Sequence, residues 1–209
     1  MEPLTAHSER EWILIGIVES CAARGYEATT VDDICAAAGV SRQSFERAFA
    51  GVGECAGAAV EALAEEAWEA LERVSSPGKP WGATLREGVA ALLGLLAERP
   101  AFARLALVEA PAAGGRAAAL AASSRASLLA FLERGRALAE PGVPAGAARG
   151  ALAGAEAVLV GQILEGNAKR LPELAPDLVY MLAVPFLGIG EAQRLASKPA
   201  ARGHLRAVA

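Results

Sequence analysis

The chain has 209 residues, 54% of them hydrophobic and 5% aromatic, and a formal charge of −4. This length suits one large domain or two small ones, and the hydrophobic fraction excludes a disordered chain. Abundant alanine with few aromatic residues favours packed helices over a β-sandwich, and glycine and proline without a period exclude collagen-like structure.

The first predicted helix runs from about Ser8 to Arg24. Its apolar residues recur at three- and four-residue spacings and form one face: Ile13, Leu14, Ile17, Val18 and Cys21. Gly25 follows as a stop signal.

Two shorter helices are predicted next. Thr30, with Asp33 three residues later, has the pattern of a capping box that opens the second helix, and Gly39 can adopt the left-handed conformation that ends it. Ser41 is a good N-cap for a third helix from Arg42 to about Phe49. A helix, a tight glycine turn and a second helix are the elements of a helix-turn-helix.

The rest of the chain predicts further helices separated by loop signals. Their approximate ranges are 54–74, 81–98, 100–109, 116–139, 145–171 and 175–196, with a loop at 111–115 and a frayed tail after Ser197. No segment has the period-2 alternation of a strand, so the predicted fold is all-α. We expect a three-helix domain at residues 1–53 and a larger helical domain at 54–209.

The penultimate helix carries a stripe of very small residues at three- and four-residue steps. They are Ala147, Gly150, Ala151, Gly154, Ala157, Gly161 and Ala168. The stripe favours a homodimer in which the last two helices of each subunit form a four-helix bundle. Packing inside the subunit, or general alanine richness, is the alternative.

The candidate catalytic and metal-binding residues do not cluster. His7 and His204 lie near the termini, far in sequence from any group of carboxylates or cysteines. Gly51-Val52-Gly53 followed by Gly57 misses the spacing of a dinucleotide fingerprint. The sequence therefore predicts no enzyme activity, no metal and no cofactor.

The three cysteines form no CxxC pair, and each falls on an apolar helical face. They are Cys21, Cys35 and Cys55. We interpret them as small buried hydrophobic residues, with a thiol redox sensor as the alternative.

No segment has the pattern of a signal peptide. The longest uncharged apolar run, residues 178–190, has 13 residues and contains Pro185. A membrane-spanning helix needs about 20. The sequence therefore predicts a cytoplasmic protein with no membrane partner.

The first 55 residues resemble the DNA-binding domain of the TetR family of transcriptional regulators. The matching strings are Arg10-Glu11-Trp12-Ile13-Leu14, the stretch 24–34 (RGYEATTVDDI), Ala38-Gly39-Val40-Ser41, and then Phe45 and Phe49. The layout of the remaining helices also resembles the family, as does the segment 178–188 (LVYMLAVPFLG) in the last helix.

The resemblance implies a dimeric repressor that binds a double-stranded DNA operator and is released by a small hydrophobic effector. The third helix would enter the major groove. Thr30 and Ser41 would offer hydroxyl and N–H groups to phosphates. Arg42, Gln43, Ser44 and Arg47 would face the bases, where arginine reads guanine and glutamine reads adenine.

Three features depart from the family pattern. Glu46 and Ala48 stand where the family has aromatic residues or histidine, and Val52 stands where a lysine commonly approaches the DNA backbone. Residues 1–50 also hold four basic and eight acidic groups, so the whole net charge of −4 lies in this region. Both the charge and Glu46 weaken non-specific DNA binding. A TetR-like dimer that binds a ligand or protein partner, with little DNA affinity left, is therefore the rival hypothesis.

The larger domain is the place for an effector, between the helices at 81–139 and the penultimate helix. The candidate apolar walls are Trp81, Leu92, Leu96, Phe102, Leu105, Leu128 and Phe131. Candidates for orienting a ligand are Arg104, Glu109, Gln162 and Glu165. For all of these residues the alternative is an ordinary core or solvated position.

Overall fold

A computed structural model describes residues 8–139 and 141–198, and within these ranges the fold is all-α. Three helices form the N-terminal part: α1 (Glu9–Arg24), α2 (Val31–Ala38) and α3 (Arg42–Ala48). The helices that follow are α4 (Val52–Val74), α5 (Trp81–Glu98), α6 (Pro100–Arg104), α7 (Ala110–Ala113), α8 (Gly115–Arg134), α9 (Ala147–Leu164) and α10 (Ala175–Ala196). A π-helical turn, Leu105–Glu109, joins α6 to α7, and 3₁₀ turns follow α8 and α9 at Gly135–Leu138 and Ala168–Leu174.

The predicted caps of α2 and α3 are confirmed. The Thr30 hydroxyl accepts a hydrogen bond from the Asp33 N–H at 3.2 Å, and the Thr30 N–H donates to the Asp33 carboxylate at 3.0 Å. These bonds from Thr30 lower the pKa of Asp33. Gly39 ends α2 in the left-handed conformation, and Ser41 accepts from the Ser44 N–H at 3.0 Å.

Helices α1 and α2 cross in very close contact at Gly16. A methyl group added there would lie 2.7 Å from the Ile34 carbonyl oxygen and 2.9 Å from Ala38 Cβ. Only a residue without Cβ lets the two backbones approach so closely. The angle between the first two helices therefore depends on this glycine.

Several predicted helix ends are wrong. α4 begins at Val52 instead of Glu54, and the predicted loop at 111–115 is helical as far as Ala113. The helix predicted for 145–171 begins at Ala147 and ends at Leu164, because the chain turns at Gly166 (φ +79°) and continues as a 3₁₀ turn. The helix predicted for 116–139 becomes 3₁₀ after Arg134.

The last helix is confirmed over Ala175–Ala196, but it bends at Gly188. Gly188 has φ +70° and ψ +170°, a conformation that glycine adopts readily and other residues rarely do. Beyond the bend, Leu195 packs against Gly82 at the start of α5, as does Leu187 before it. The bend thus lets both segments of α10 contact the same turn of α5.

The residues that the structure describes form two hydrophobic cores. The first is built on α1 to α3 and includes Ile13, Ile34 and Phe45, but it also takes in Cys55 to Val60 of α4 and Leu105 of the π-helical turn. The second lies among α5, α8, α9 and α10. The N-terminal core therefore extends past residue 53, and α4, which also packs along α5 and α8, contacts both halves of the molecule.

Candidate nucleic-acid interface and ligand cavity

One face of α3 is buried and the other is open to solvent. Phe45 and Phe49 are almost fully buried, and their ring centroids lie 5.9 Å apart. Arg42, Gln43, Glu46 and Arg47 are all exposed. The short helix thus presents a polar face with two cations, one amide and one carboxylate.

Both arginines of this face are bound by carboxylates. Arg42 donates to Asp32 at 2.8 Å and to Glu46 at 3.0 Å. The hydrogen bond to Glu46 raises the pKa of Arg42. Arg47 lies 3.5 Å from Glu9. All of these side chains are well exposed, so each pair is weak, is screened by salt and is easily exchanged for another anion.

Ser44 is not on the exposed face where the sequence placed it. Its side chain is 7% exposed and its hydroxyl donates to Glu9 at 3.0 Å while accepting from Arg47 at 3.1 Å. Ser44 lies next to Phe45 on the buried side of α3. Its hydroxyl therefore forms hydrogen bonds inside the domain. In this conformation Ser44 orders Arg47 and does not reach outwards.

The three cysteines are buried and unpaired, as predicted. Burial raises the pKa of Cys21 and Cys35, and that of Cys55 to about 12. Since the thiolate is the reactive form, these thiols are protected in the folded chain. His7 and His204 lie outside the described residues, so the prediction about them stays a prediction.

A cavity of about 1,030 Å³ lies in the larger domain, among α4, α5, α8, α9 and α10. Its volume lies just above the range of about 300–1,000 Å³ typical of small-molecule sites. The lining is largely apolar. Four predicted wall residues lie on it: Leu92, Leu96, Leu128 and Phe131.

Seven of the residues proposed for this cavity lie elsewhere: Trp81, Phe102, Arg104, Leu105, Glu109, Gln162 and Glu165. Trp81 stacks on the Phe131 ring and donates its indole N–H to the Phe131 carbonyl at 3.2 Å, so it supports the wall from behind. Phe102 and Leu105 pack in the N-terminal core. Glu109 contacts the N-terminal domain, and Gln162 donates to Glu165 at the end of α9.

The sequence interpretation missed the whole α4 wall. Five α4 residues there share one helical face: Val60, Leu63, Ala64, Ala67 and Leu71. Trp68 also lines the cavity. Their three- and four-residue spacing was a visible signal, but it resembles that of any buried helix.

The cavity wall includes one ion pair between helices. Arg125 of α8 donates its Nε–H to both carboxylate oxygens of Glu156 on α9, at 2.8 and 2.7 Å. Both residues line the cavity. Glu72 and Arg134 are exposed charged residues of the lining, and the Arg134 guanidinium lies 4.8 Å from the Phe131 ring centre.

The N-terminal domain has a clear match among known families. Residues 13–52 match the family described as bacterial regulatory proteins, tetR family. This range contains the capped α2, the glycine turn and the exposed face of α3.

The N-terminal domain belongs to the TetR family.

Solved structures extend the likeness in fold to most of the chain. A fatty acid degradation regulator, FadR, from Bacillus halodurans superposes with a TM-score of 0.71 at 14% identity, over 88% of this chain and 97% of that one. FadR from Bacillus subtilis in complex with stearoyl-CoA gives 0.68 at 17%, over 86% and 98%. A TetR-like regulator from Rhodococcus sp. RHA1 gives 0.65 at 19%, over 84% and 96%. No curated protein matches the sequence.

A direct contact joins the TetR-family domain to the larger one. The Glu109 carboxylate accepts a hydrogen bond from the Tyr26 N–H at 3.1 Å and another from Arg104 at 3.0 Å. Glu109 ends the π-helical turn, in which Leu105 packs in the N-terminal core while Ala106 and Leu107 line the cavity. One turn of chain therefore contacts both the cavity and the loop before α2.

The small-residue stripe on α9 divides into two parts. Gly154 packs inside the subunit, where a Cβ would lie 3.2 Å from Met181 of α10. Gly150 and Ala157 are exposed, and Ala147, Ala151 and Gly161 are half-buried. Val158 and Leu164 on α9 and Ile189 on α10 are large exposed hydrophobic residues. An apolar surface thus remains uncovered on the last two helices.

Helices α9 and α10 are also relevant to the prediction that the protein has no membrane partner. Residues 147–164 and 168–196 are long and apolar enough to span a membrane by length and composition. The prediction considered only uncharged runs, whereas these segments carry charged residues such as Arg149 and Glu156. Core helices of water-soluble proteins pass the same test.

Proposed function

We propose that the protein is a cytoplasmic, dimeric transcriptional repressor that binds an operator through α3 and is released by a large hydrophobic ligand. One observation carries the proposal: the TetR-family helix-turn-helix, with its exposed arginines, is joined to a separate apolar cavity by the π-helical turn. In such an arrangement, ligand binding and DNA binding can be coupled.

The DNA contacts we propose lie on α3 and at two helix N-termini. Arg42, Gln43 and Arg47 are exposed on one face and suit guanine and adenine in the major groove. Thr30 and Ser41 cap α2 and α3 and can approach phosphates. Because the carboxylate pairs of both arginines are weak, DNA can displace them. Ser44 acts indirectly by ordering Arg47.

Dimerisation is proposed through α9 and α10. The exposed part of the stripe, with Val158, Leu164 and Ile189, leaves an apolar surface that a second copy would cover. The small side chains allow a partner helix to approach closely. Two such pairs of helices would form a four-helix bundle and hold two copies of α3 at a fixed separation.

The effector is proposed to be a molecule with a long apolar portion. The cavity volume and the aliphatic walls support this, and a protein of the same fold was solved with stearoyl-CoA. A ligand that moves Leu107 would also move Glu109, since both belong to one turn. The displacement would reach Tyr26 and alter the position of α2 and α3.

A second candidate function rests on the paired arginines. If Asp32, Glu46 and Glu9 keep Arg42 and Arg47 neutralised, the fold would serve as a ligand-binding dimer with little DNA affinity. The exposed surface is consistent with either function, and a DNA-binding experiment separates them.

The test is retardation of a duplex from the region upstream of the coding sequence, measured without ligand over a range of salt concentrations. A repressor should bind with an affinity that falls steeply as salt is raised. Arg42→Ala and Arg47→Ala should each reduce the affinity, and each should lower the salt slope by about 1 if the arginine neutralises a phosphate. Arg73→Ala near the end of α4, where the exposed arginine is likewise paired with a carboxylate four residues away, is the matched control. Failure to retard any nearby intergenic duplex at low salt would favour the second function.

A further inference from the structure

Arg125 is unusual among the residues of the cavity wall. It lies near the middle of α8, among aliphatic residues, and its side chain is 48% exposed. Its Nε–H is bound to Glu156, as described above. A permanent positive charge is thus held at a fixed place in a wall that is otherwise mainly apolar.

The terminal nitrogens of Arg125 are available. A guanidinium has five N–H donors, and the pair with Glu156 uses only the one on Nε. Within residues 8–139 and 141–198, no group accepts a hydrogen bond from either terminal nitrogen. Glu156 therefore orients the guanidinium plane and leaves its forked edge unoccupied.

A forked pair of N–H donors suits a carboxylate or phosphate, because two parallel hydrogen bonds can form at once. Ser124, the preceding residue, also lines the cavity and offers a hydroxyl. Arg134 lies nine residues further along α8, a rise of about 13.5 Å along the helix axis at 1.5 Å per residue. A compact head group would therefore contact Arg125 and not both arginines.

We propose that Arg125 determines effector specificity by binding an anionic head group, so that the effector is an amphiphile with a long apolar chain and a carboxylate or phosphate. This deepens the proposed ligand function of the cavity and rests on it. The apolar chain of the effector fills the apolar space between α4, α5 and α10. Glu156 is a positioning residue that holds Arg125 through its Nε.

The proposal is tested with three probes that have hydrocarbon chains of the same length: stearate, stearoyl-CoA and stearyl alcohol. Each is titrated below its aggregation limit into the full chain, and binding is followed by tryptophan fluorescence, since Trp68 lies in the wall. Arg125→Gln should weaken binding of an anionic probe about ten- to hundred-fold, the usual effect of losing a charged hydrogen bond. Binding of the alcohol should change little.

Two further variants show whether a loss of binding reflects specificity for the anionic head group or a structural defect in the cavity wall. Arg125→Gln leaves Glu156 without its partner, so the double variant Arg125→Gln/Glu156→Gln restores a neutral wall and should show the same loss for anions. Arg170→Gln removes an exposed arginine of the 3₁₀ turn after α9, outside the cavity, and should leave all three affinities unchanged.

The outcomes are distinct. A loss with stearate assigns the site to a carboxylate, and a loss with stearoyl-CoA alone assigns it to a phosphorylated head. Equal losses for the alcohol and the anions, no loss for either anion, or no binding of any probe to the unmodified protein would each overturn the proposal. Because these titrations contain no DNA, their failure is independent of the retardation test.

Discussion

Three acidic residues of the first fifty lie beside the arginines of α3 that would bind DNA. Arg42 is held by Asp32 and Glu46, Arg47 is held by Glu9, and Arg24 near the end of α1 pairs with Asp33. The sequence predicted that the charge would weaken DNA binding. The structure adds that the carboxylates neutralise particular arginines, so their effect is local and can be altered one residue at a time.

Glu46→Gln should strengthen binding to duplexes of unrelated sequence. The change removes an exposed carboxylate beside Arg42 and with it the repulsion from phosphate. We expect a gain of several-fold at low salt that shrinks as salt is raised, measured by fluorescence anisotropy. Glu65→Gln on α4 is the control, and equal effects of the two changes would show that only total charge matters.

The buried cysteines should be unreactive in the folded protein. Burial raises the pKa of Cys55 to about 12, and Cys21 and Cys35 are shifted in the same direction. At mildly alkaline pH we expect a thiol reagent such as Ellman's reagent to label none of them quickly, and all three after unfolding in urea. Fast labelling of one cysteine in the native protein would revive the redox-sensor hypothesis.

Single residues were predictable where local chemistry decides their role. Thr30 and Ser41 cap their helices because a hydroxyl at an N-cap satisfies a nearby N–H. Ser44 was misplaced because its orientation depends on Glu9, 35 residues earlier in the chain. A contact of that kind has no signature in the local pattern.

At the level of elements, sequence patterns predicted the helices better than their ends. α5 and α10 have the predicted bounds, whereas the segment Leu105–Glu109 was predicted as ordinary helix and forms a π-helical turn. Its form is tied to tertiary contacts: Leu105 packs in one core, the next two residues line the cavity, and Glu109 reaches Tyr26. The spacing of apolar residues in the sequence cannot predict such competing contacts.

Gly16→Ala should destabilise the N-terminal domain. A new methyl group would meet the Ile34 carbonyl and Ala38 at the crossing of α1 and α2, and the overpacking should cost about 1–3 kcal/mol. Gly94→Ala in α5 is the matched control, because no neighbouring atom lies within 4 Å of its new methyl. That change should stabilise by up to about 1 kcal/mol through helix propensity. Urea denaturation of both variants measures the difference, and equal midpoints would contradict the close crossing.

Glu109→Ala should loosen the link between the two domains. The Tyr26 N–H would lose its acceptor, and the segment between α1 and α2 should exchange amide hydrogen faster. Hydrogen–deuterium exchange should show this change at residues 25–30 and none in α10. Glu98→Ala, at the exposed end of α5, should leave both regions unchanged. Unaltered exchange at 25–30 in Glu109→Ala would exclude the contact as a link.

For the whole molecule, the main unexplained feature is the apolar surface of α9 and α10, which no described part of the same subunit covers. Ala157→Arg would place a charge in the proposed dimer interface, and we expect the mass in sedimentation equilibrium to fall from two chains to one. Leu138→Arg changes an exposed hydrophobic residue outside α9 and α10 and serves as control. A dimer that survives Ala157→Arg but not Leu138→Arg would place the interface elsewhere.

The overall architecture was predictable, since helical periodicity, caps and glycine stops specify an all-α chain with a helix-turn-helix. The cavity was predictable only in part. Leu92 and Phe131 were identified, but the α4 wall was missed, because the long packing of α4 along α8 is set by tertiary structure. The DNA-contact, cavity and dimer residues that have no direct test remain predictions.

The π-helical turn has a consequence for the evolution of the chain. A π-turn accommodates one residue more than an α-turn, so losing one residue there would restore ordinary helix without rotating α6 or α7 relative to their neighbours. A deletion elsewhere in a helix turns everything beyond it by about 100°. Insertions and deletions among descendants of this protein are therefore expected to collect at positions 105–109.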